Sequence, residues 1–286
     1  LSLPEILLLS FIVANSSTAL AFKLLEETGF EFKYSEKEVK TVLGVATLED
    51  LLIIFALIVY PFFAIQNSFS LGNIFSLLLS IIVTFFAILI LGMISIKKII
   101  DKIFLLSEEL VLLIGIALTF LFSWFSYKLG LSLILGAFIT GVIFSETRSA
   151  ESVIKKGKWI REFFLFIFFV SVGIRIPINV SIDILFYGII FGIIAALIKY
   201  FAFSFSFWMA GNKLENSVSL GFYMMNISEF AIIITLLANE FGVVGQNYLV
   251  LAVLTIGTSA LISSIFIAKE NVLTKIFISF IPTNLR

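Results

Sequence analysis

Apolar residues run along this chain in long stretches that lack the two-residue alternation of a membrane β-barrel strand, so helices are predicted throughout. Nine stretches approach the roughly 20 residues that carry a helix across a bilayer. They are 3–24, 41–63, 71–96, 108–128, 130–146, 160–177, 183–210, 217–240 and 245–268. The fifth and sixth are short, and the seventh is long enough to tilt. Polar residues interrupt two of the spans at mid-depth: Asn15-Ser16-Ser17-Thr18 in the first and Asn226-Ile227-Ser228-Glu229 in the eighth.

The charges between the spans set a topology. With the connection around residues 24–40 placed in the cytoplasm and the sides alternating, sixteen Lys and Arg fall inside, and only Lys128 and Arg175 fall outside. Lys199 is the one basic residue left within a span. That asymmetry obeys the positive-inside rule. Residues 147–159 read as a basic loop that fixes topology and touches anionic lipid. In this topology the first span runs outward to inward and the eighth inward to outward. Two polar-interrupted helices of opposite direction point to an inverted-repeat transporter, in which unwound backbone and half-helix ends meet at the midplane. The plainer alternative is Ser and Thr bonding back to their own helices.

Composition narrows the class. Of 286 residues, 60% are hydrophobic and 13% charged, with a mean hydropathy of +1.17. A soluble domain carries about 25% charged residues, so the chain is read as an all-α polytopic membrane protein. The many Phe (34) suit lipid-facing and packing positions. Zero net charge gives no electrostatic ground for nucleic acid as a partner. Without Cys there are no disulfides or thiolate sites. Without His, proton chemistry has to run on carboxylates or on a lysine that gives up its proton. The opening stretch lacks the basic flank of a signal peptide, and a chain beginning at Leu1 rather than Met leads to the expectation that helices precede it.

Four ionisable side chains lie deep in apolar segments: Glu49, Asp50, Lys199 and Glu229. Each would cost about 2.5–3.5 kcal/mol facing lipid alone, roughly 10–14 kcal/mol together. They are therefore expected to face a protein interior or a water-filled cavity and to pair there. Three potential negatives against one positive make that interior attractive to a cation. Adjacent helical residues point about 100° apart, so Glu49 and Asp50 cannot aim equally at one small ion. One is free to hold a cation while the other makes a different contact. Lys199 is either a partner in this cluster or a snorkelling side chain; Glu229 is either part of the ion path or a fixed partner of Lys199. A structural ion pair is the plainer reading of the acidic pair. An intramembrane aspartyl protease is rejected, because the other aspartates, Asp101 and Asp183, sit at span edges.

At these residues the chain resembles the monovalent cation:proton antiporter family, in the branch holding Kef-type potassium efflux systems and bacterial sodium/proton exchangers. The matching stretches occur in family order: Ser16-Ser17-Thr18-Ala19, Leu48-Glu49-Asp50-Leu51, Gly136 to Gly141 continuing to Ser145-Glu146-Thr147, Phe168 to Gly173, and Ser228-Glu229-Phe230. The resemblance implies the last nine helices of a twelve- or thirteen-helix transporter, with an inverted-repeat fold and two crossing broken helices at 3–24 and 217–240. It implies a core domain in two parts (1–66 and 181–286), a linker helix (67–106) and dimerisation helices (107–180). It implies a homodimer in the cell membrane. Asp50 would be the shared cation and proton site, Lys199 the partner of Glu49, and Glu229 the acid of the second broken helix. The family's acidic neighbour in electrogenic sodium exchangers is Asp, and Glu49 is one methylene longer. Asn226-Ile227-Ser228 stands where the family usually has glycines.

The expected activity is exchange of Na⁺, or another monovalent cation such as K⁺, for H⁺ by alternating access, without a cofactor and without enzymatic chemistry. Ser16, Ser17, Thr18, Asn226 and Ser228 are the candidate supporting ligands around Asp50. A Kef-type potassium efflux channel or K⁺/H⁺ antiporter is the alternative, and a structural membrane subunit a further one.

Overall fold

The computed structural model describes residues 1–27, 33–65, 99–104, 107–128 and 133–279, with single positions between 79 and 97. The span expected at 71–96 lies mostly outside the described residues. Among the described residues every regular element is helical: α1 (Leu3–Ala14), α2 (Thr18–Glu27), α3 (Glu36–Ile65), α4 (Glu108–Lys128), α5 (Leu133–Ser145), α6 (Ala150–Arg175), α7 (Ile182–Met209), α8 (Leu214–Met224), α9 (Phe230–Glu240), α10 (Asn247–Ala268) and α11 (Glu270–Ser279). Four helical stretches are long and apolar enough to cross a membrane: 3–27, 108–128, 182–209 and 247–268. The described chain is that of a polytopic membrane protein.

Local chemistry explains the ends. Pro4 occupies the first turn of α1, where its missing N–H is no loss, and the Ser2 N–H donates to Glu5 at 2.6 Å. Ser181 caps α7 by accepting from the Ile184 N–H. Gly211 (φ +86°) and Gly242 (φ +68°) turn the chain after α7 and α9 in the left-handed region, which side chains with a Cβ rarely enter.

The chain divides into two compact units, residues 1–56 with 176–286, and residues 57–175. In the second, α4 packs against α5 and α6, with Val111 and Phe144 in its small core. Gly136 of α5 lies directly against the backbone at Phe122 and Ser123 of α4, where a Cβ has no room. Residues 147–159, expected as a basic loop, are from Ala150 onward the first part of α6. Their charges are compatible with a helix because they pair along it and across it. Lys155 meets Glu151 at 2.9 Å, and Lys156 meets Glu108 and Glu109 of α4 at 3.0 and 2.6 Å. Beyond them Phe163, Phe164, Phe166 and Phe169 are all exposed, as lipid-facing residues are.

The first unit is organised by α7 and α10, which pack closely through small residues. Gly188 and Gly192 are buried on α7, and a Cβ at Gly192 would press into Thr255 and Thr258 of α10. Gly192→Leu is therefore expected to overpack this interface and destabilise the protein by about 1–3 kcal/mol. A lowered melting temperature in detergent is the readout, and an unchanged one would contradict the packing described here.

Around this pair, α1 packs on α9 while α2 packs on α8. The apolar core beside them includes Ala21, Val42, Ala46, Ala196, Tyr200, Phe222 and Tyr223. Two polar contacts anchor the start of α3. Glu38 accepts from Asn216 of α8 at 2.6 Å and from the Ser35 N–H at 2.8 Å. Burial opposes its ionisation, but these hydrogen bonds outweigh burial and hold the carboxyl below the usual range. Tyr34 is buried against Tyr223 and donates to Glu270, which also receives Tyr223 at 3.2 Å and Lys33 at 2.5 Å. Burial, with that carboxylate beside it, raises the Tyr34 phenol and keeps it a neutral donor.

Candidate cation-binding site

Both polar interruptions are real breaks in the helices. The first separates α1 from α2 at Asn15, Ser16 and Ser17; the second separates α8 from α9 between Met225 and Glu229. Asn15 is extended (φ −103°, ψ 128°), so the main-chain groups around it lose their helical partners. In a medium without water those groups must be satisfied by protein. The two breaks satisfy each other. The Ser228 N–H donates to the Asn15 carbonyl at 3.0 Å, the Ser17 N–H to Asn226 Oδ1 at 2.8 Å, and Ser16 Oγ to the Met224 carbonyl at 3.1 Å.

Neighbouring helices supply the remainder. Ser259 of α10 accepts from the Ile227 N–H at 3.0 Å, and Ser263 donates to the Phe222 carbonyl at 2.7 Å. Asn226 Nδ2 closes on the Tyr223 carbonyl at 2.6 Å. Sequence reasoning did not single out Ser259 and Ser263. Their signal was available: Thr255, Ser259 and Ser263 set hydroxyls four residues apart on one face of a mostly apolar span.

The acidic pair sits beside the first break, on α3. Its two members point to different partners, as adjacent helical residues must. Glu49 Oε2 accepts the Ser16 N–H at 2.8 Å and faces Lys199 Nζ at 3.8 Å. That ion pair is too long for a hydrogen bond, and the amine, 5% exposed, has no hydrogen-bond partner among the described residues. Its charge also lies 5.5 Å from the ring centre of Phe203, one helical turn along α7. Lys199 does not snorkel: its nitrogen is turned into the protein toward Glu49.

Among the described residues, the groups that hold Asp50 are neutral donors. Thr18 Oγ1 donates to Oδ2 at 2.7 Å and Asn15 Nδ2 to Oδ1 at 3.3 Å. Among the described residues no lysine or arginine nitrogen lies within 4.0 Å of it. Glu229 approaches from the second break, where Ser17 Oγ and Ser228 Oγ donate to Oε2 at 3.3 and 3.4 Å. Within ion-pair distance Lys199 therefore chooses Glu49, and Glu229 is held by hydroxyls.

The electrostatics follow from these positions. Thr18 opens α2 and Glu229 precedes α9, so Asp50 and Glu229 lie at the positive ends of two half-helices, which favour anions. The carbonyl ends of α1 and α8 arrive at the same crossing and favour cations. With Glu49, Asp50 and Glu229 ionised against Lys199, the cluster carries a formal charge of minus two. Every residue picked from the sequence (Ser16, Ser17, Thr18, Glu49, Asp50, Lys199, Asn226, Ser228 and Glu229) belongs to this connected cluster. Asn226 differs in kind, since both ends of its amide bond to backbone. Asn15, noticed in the sequence only as part of a polar run, touches Asp50 directly.

Comparison with known proteins places the chain in a family. The Na(+)/H(+)-K(+) antiporter GerN of Bacillus cereus is 26% identical over 261 residues, covering 89% of this chain and 65% of that protein. K(+) efflux antiporter 5 of Arabidopsis thaliana is 27% identical over 275 residues, 91% of this chain and 45% of that protein. A Na(+)/H(+) antiporter of Enterococcus hirae is 24% identical, with 92% and 68% covered. The chain thus spans about half to two thirds of the length of these relatives. The profile of the family described as sodium/hydrogen exchanger, transmembrane, matches residues 1–269. This chain is a member of the transmembrane sodium/hydrogen exchanger family.

Proposed function

We propose that the protein exchanges a monovalent cation, Na⁺ or K⁺, for H⁺ across the cell membrane by alternating access, with Asp50 as the site both ions share. The observation that carries this reading is the asymmetry of the acidic pair. Glu49 already faces an amine, whereas among the described residues Asp50 takes its hydrogen bonds from Thr18 and Asn15. A half-buried carboxylate without a positive partner binds either a proton or a cation, and each excludes the other. That exclusion is what couples the two flows.

Hydroxyls and carbonyls surround the acid, and such oxygens suit a hard monovalent ion. Ser17 and Thr18 are placed to supply ligands, while Ser16, Asn226 and Ser228 hold the unwound backbone. A bound cation brings the cluster from minus two to minus one. If cation binding loosens the Glu49–Lys199 pair and Lys199 sheds a proton, two protons move per cation. If Lys199 keeps its proton, exchange is one for one.

The reading includes the finer architecture. Nine spans, arranged as an inverted repeat, give the crossing its two opposed broken helices, an arrangement supported by α1 packing on α9 and α2 on α8. Residues 1–66 and 181–286 form the core domain, 67–106 a linker helix and 107–180 the dimerisation helices of a homodimer. The names of the relatives divide between Na⁺ and K⁺, so K⁺/H⁺ exchange is the second reading.

The full protein in proteoliposomes with a pH-sensitive dye tests it. Adding Na⁺ or K⁺ to acid-loaded vesicles is expected to drive proton efflux that saturates with cation concentration. Silence toward every alkali cation would end the proposal.

A further inference from the structure

The Asn15 side chain is 2% exposed and only half used. Nδ2 donates to Asp50 Oδ1 at 3.3 Å, a long contact, while Oδ1 has no hydrogen-bond partner among the described residues. Buried amide oxygens are seldom left in that state, and each such exception calls for a cause. The Asn15 backbone is fixed, because its carbonyl receives the Ser228 N–H across the crossing. The side-chain amide can still turn about its terminal torsion. Oxygen and nitrogen are nearly the same size, so a half-turn exchanges them in place.

The two orientations suit two states of Asp50. A bare carboxylate calls for the N–H. The amide oxygen opposite a bare carboxylate would be repelled, but with a cation between them it is attracted and becomes a ligand. We propose that Asn15 is a specificity-determining ligand for the transported alkali cation. Its amide turns as Asp50 loads, so that Oδ1 joins the oxygen shell of the ion, and turns back to offer Nδ2 as the ion leaves. The orphaned oxygen beside the acid is then the unfilled half of a ligand pair. Because its backbone is pinned to the second break, Asn15 approaches the ion from a set distance. An oxygen at a set distance discriminates by ionic radius.

This inference rests on the reading of Asp50 as the exchange site, and its test separates the two. The full protein and the variants Asn15→Leu and Asn15→Ser are reconstituted, and KM and kcat are measured for Na⁺, K⁺ and Li⁺ at fixed pH. Asn15→Leu, which keeps the branched shape of the side chain without its oxygen, is expected to raise KM for the preferred cation about ten-fold, the effect of one lost oxygen contact. It should also narrow the differences in KM among the three ions. Asn15→Ser, which keeps an oxygen, should fall between. Should Asn15→Leu fail to fold, as shown by loss of its melting transition, Asn15→Ser carries the test alone. Wild-type KM ratios in the folded variants, or an equal fall in kcat for every ion, would overturn the role given to Asn15. Exchange by the wild type in that same experiment keeps the Asp50 reading intact, whereas a wild type that moves no protons removes both.

Discussion

Asp50→Asn is expected to eliminate cation-driven proton movement while leaving a folded protein. Asn has the shape of Asp, so Thr18 and Asn15 keep a partner at the same place. What disappears is the charge that holds the cation and the group that carries the proton. Losing one member of a desolvated charge pair costs about 2–5 kcal/mol, roughly 30- to 4,000-fold in affinity. An amide also has no proton to exchange near neutral pH, so coupling stops even where weak binding survives. The measurement is the dye response of proteoliposomes to a Na⁺ or K⁺ jump, with a melting curve to show that the variant is folded. Undiminished exchange would remove Asp50 from the mechanism.

Lys199→Gln has the second large effect, and it acts on stability first. The substitution leaves Glu49 with the Ser16 N–H as its remaining partner and no opposing charge nearby. Breaking one side of a buried ion pair costs about 3–5 kcal/mol. Glu49 keeps some access to solvent, which places the expected loss toward the lower end. Adding Glu49→Gln should restore most of the stability, because no uncompensated charge then stays behind. A double variant no more stable than Lys199→Gln alone would show that the pair is not what the lysine supports. The same variants address stoichiometry. Each net charge moved is worth about 2.3 kcal/mol per 100 mV, so electrogenic exchange responds steeply to membrane potential. Lys199→Gln should abolish that response if the lysine carries the second proton. An unchanged response rules it out as carrier.

Much of the helical layout was legible because an apolar helix in lipid needs a continuous run of apolar residues. The expected spans 108–128, 183–210 and 245–268 fall within two residues of α4, α7 and α10. The breaks were legible for the complementary reason: Asn15 to Thr18 and Asn226 to Glu229 are too polar for an intact helix at that depth without a use for it. The start of α6 was missed, since a helix whose charges pair with one another and with Glu108 and Glu109 continues past the point where apolar residues end. Residue spacing did not give partner choice, and only the family resemblance named Glu49 for Lys199. Whether Lys199 meets Glu49 or Glu229 depends on how α7, α3 and the second break are placed, and no spacing along the chain encodes that. The orphaned oxygen of Asn15 was hidden for a similar reason, because an unfulfilled contact has no signature in a residue string.

The mutual bonding of the two breaks limits how this molecule can work. Drawing residues 15–17 away from 224–228 would sever three contacts in a water-poor setting, at a cost on the order of 3–9 kcal/mol. The interlock thus behaves as a rivet, and half-helices joined by it travel together. Under the exchange proposed above, a motion that turns the acid from one side of the membrane to the other would carry the riveted block whole, with the passenger ion seated in it.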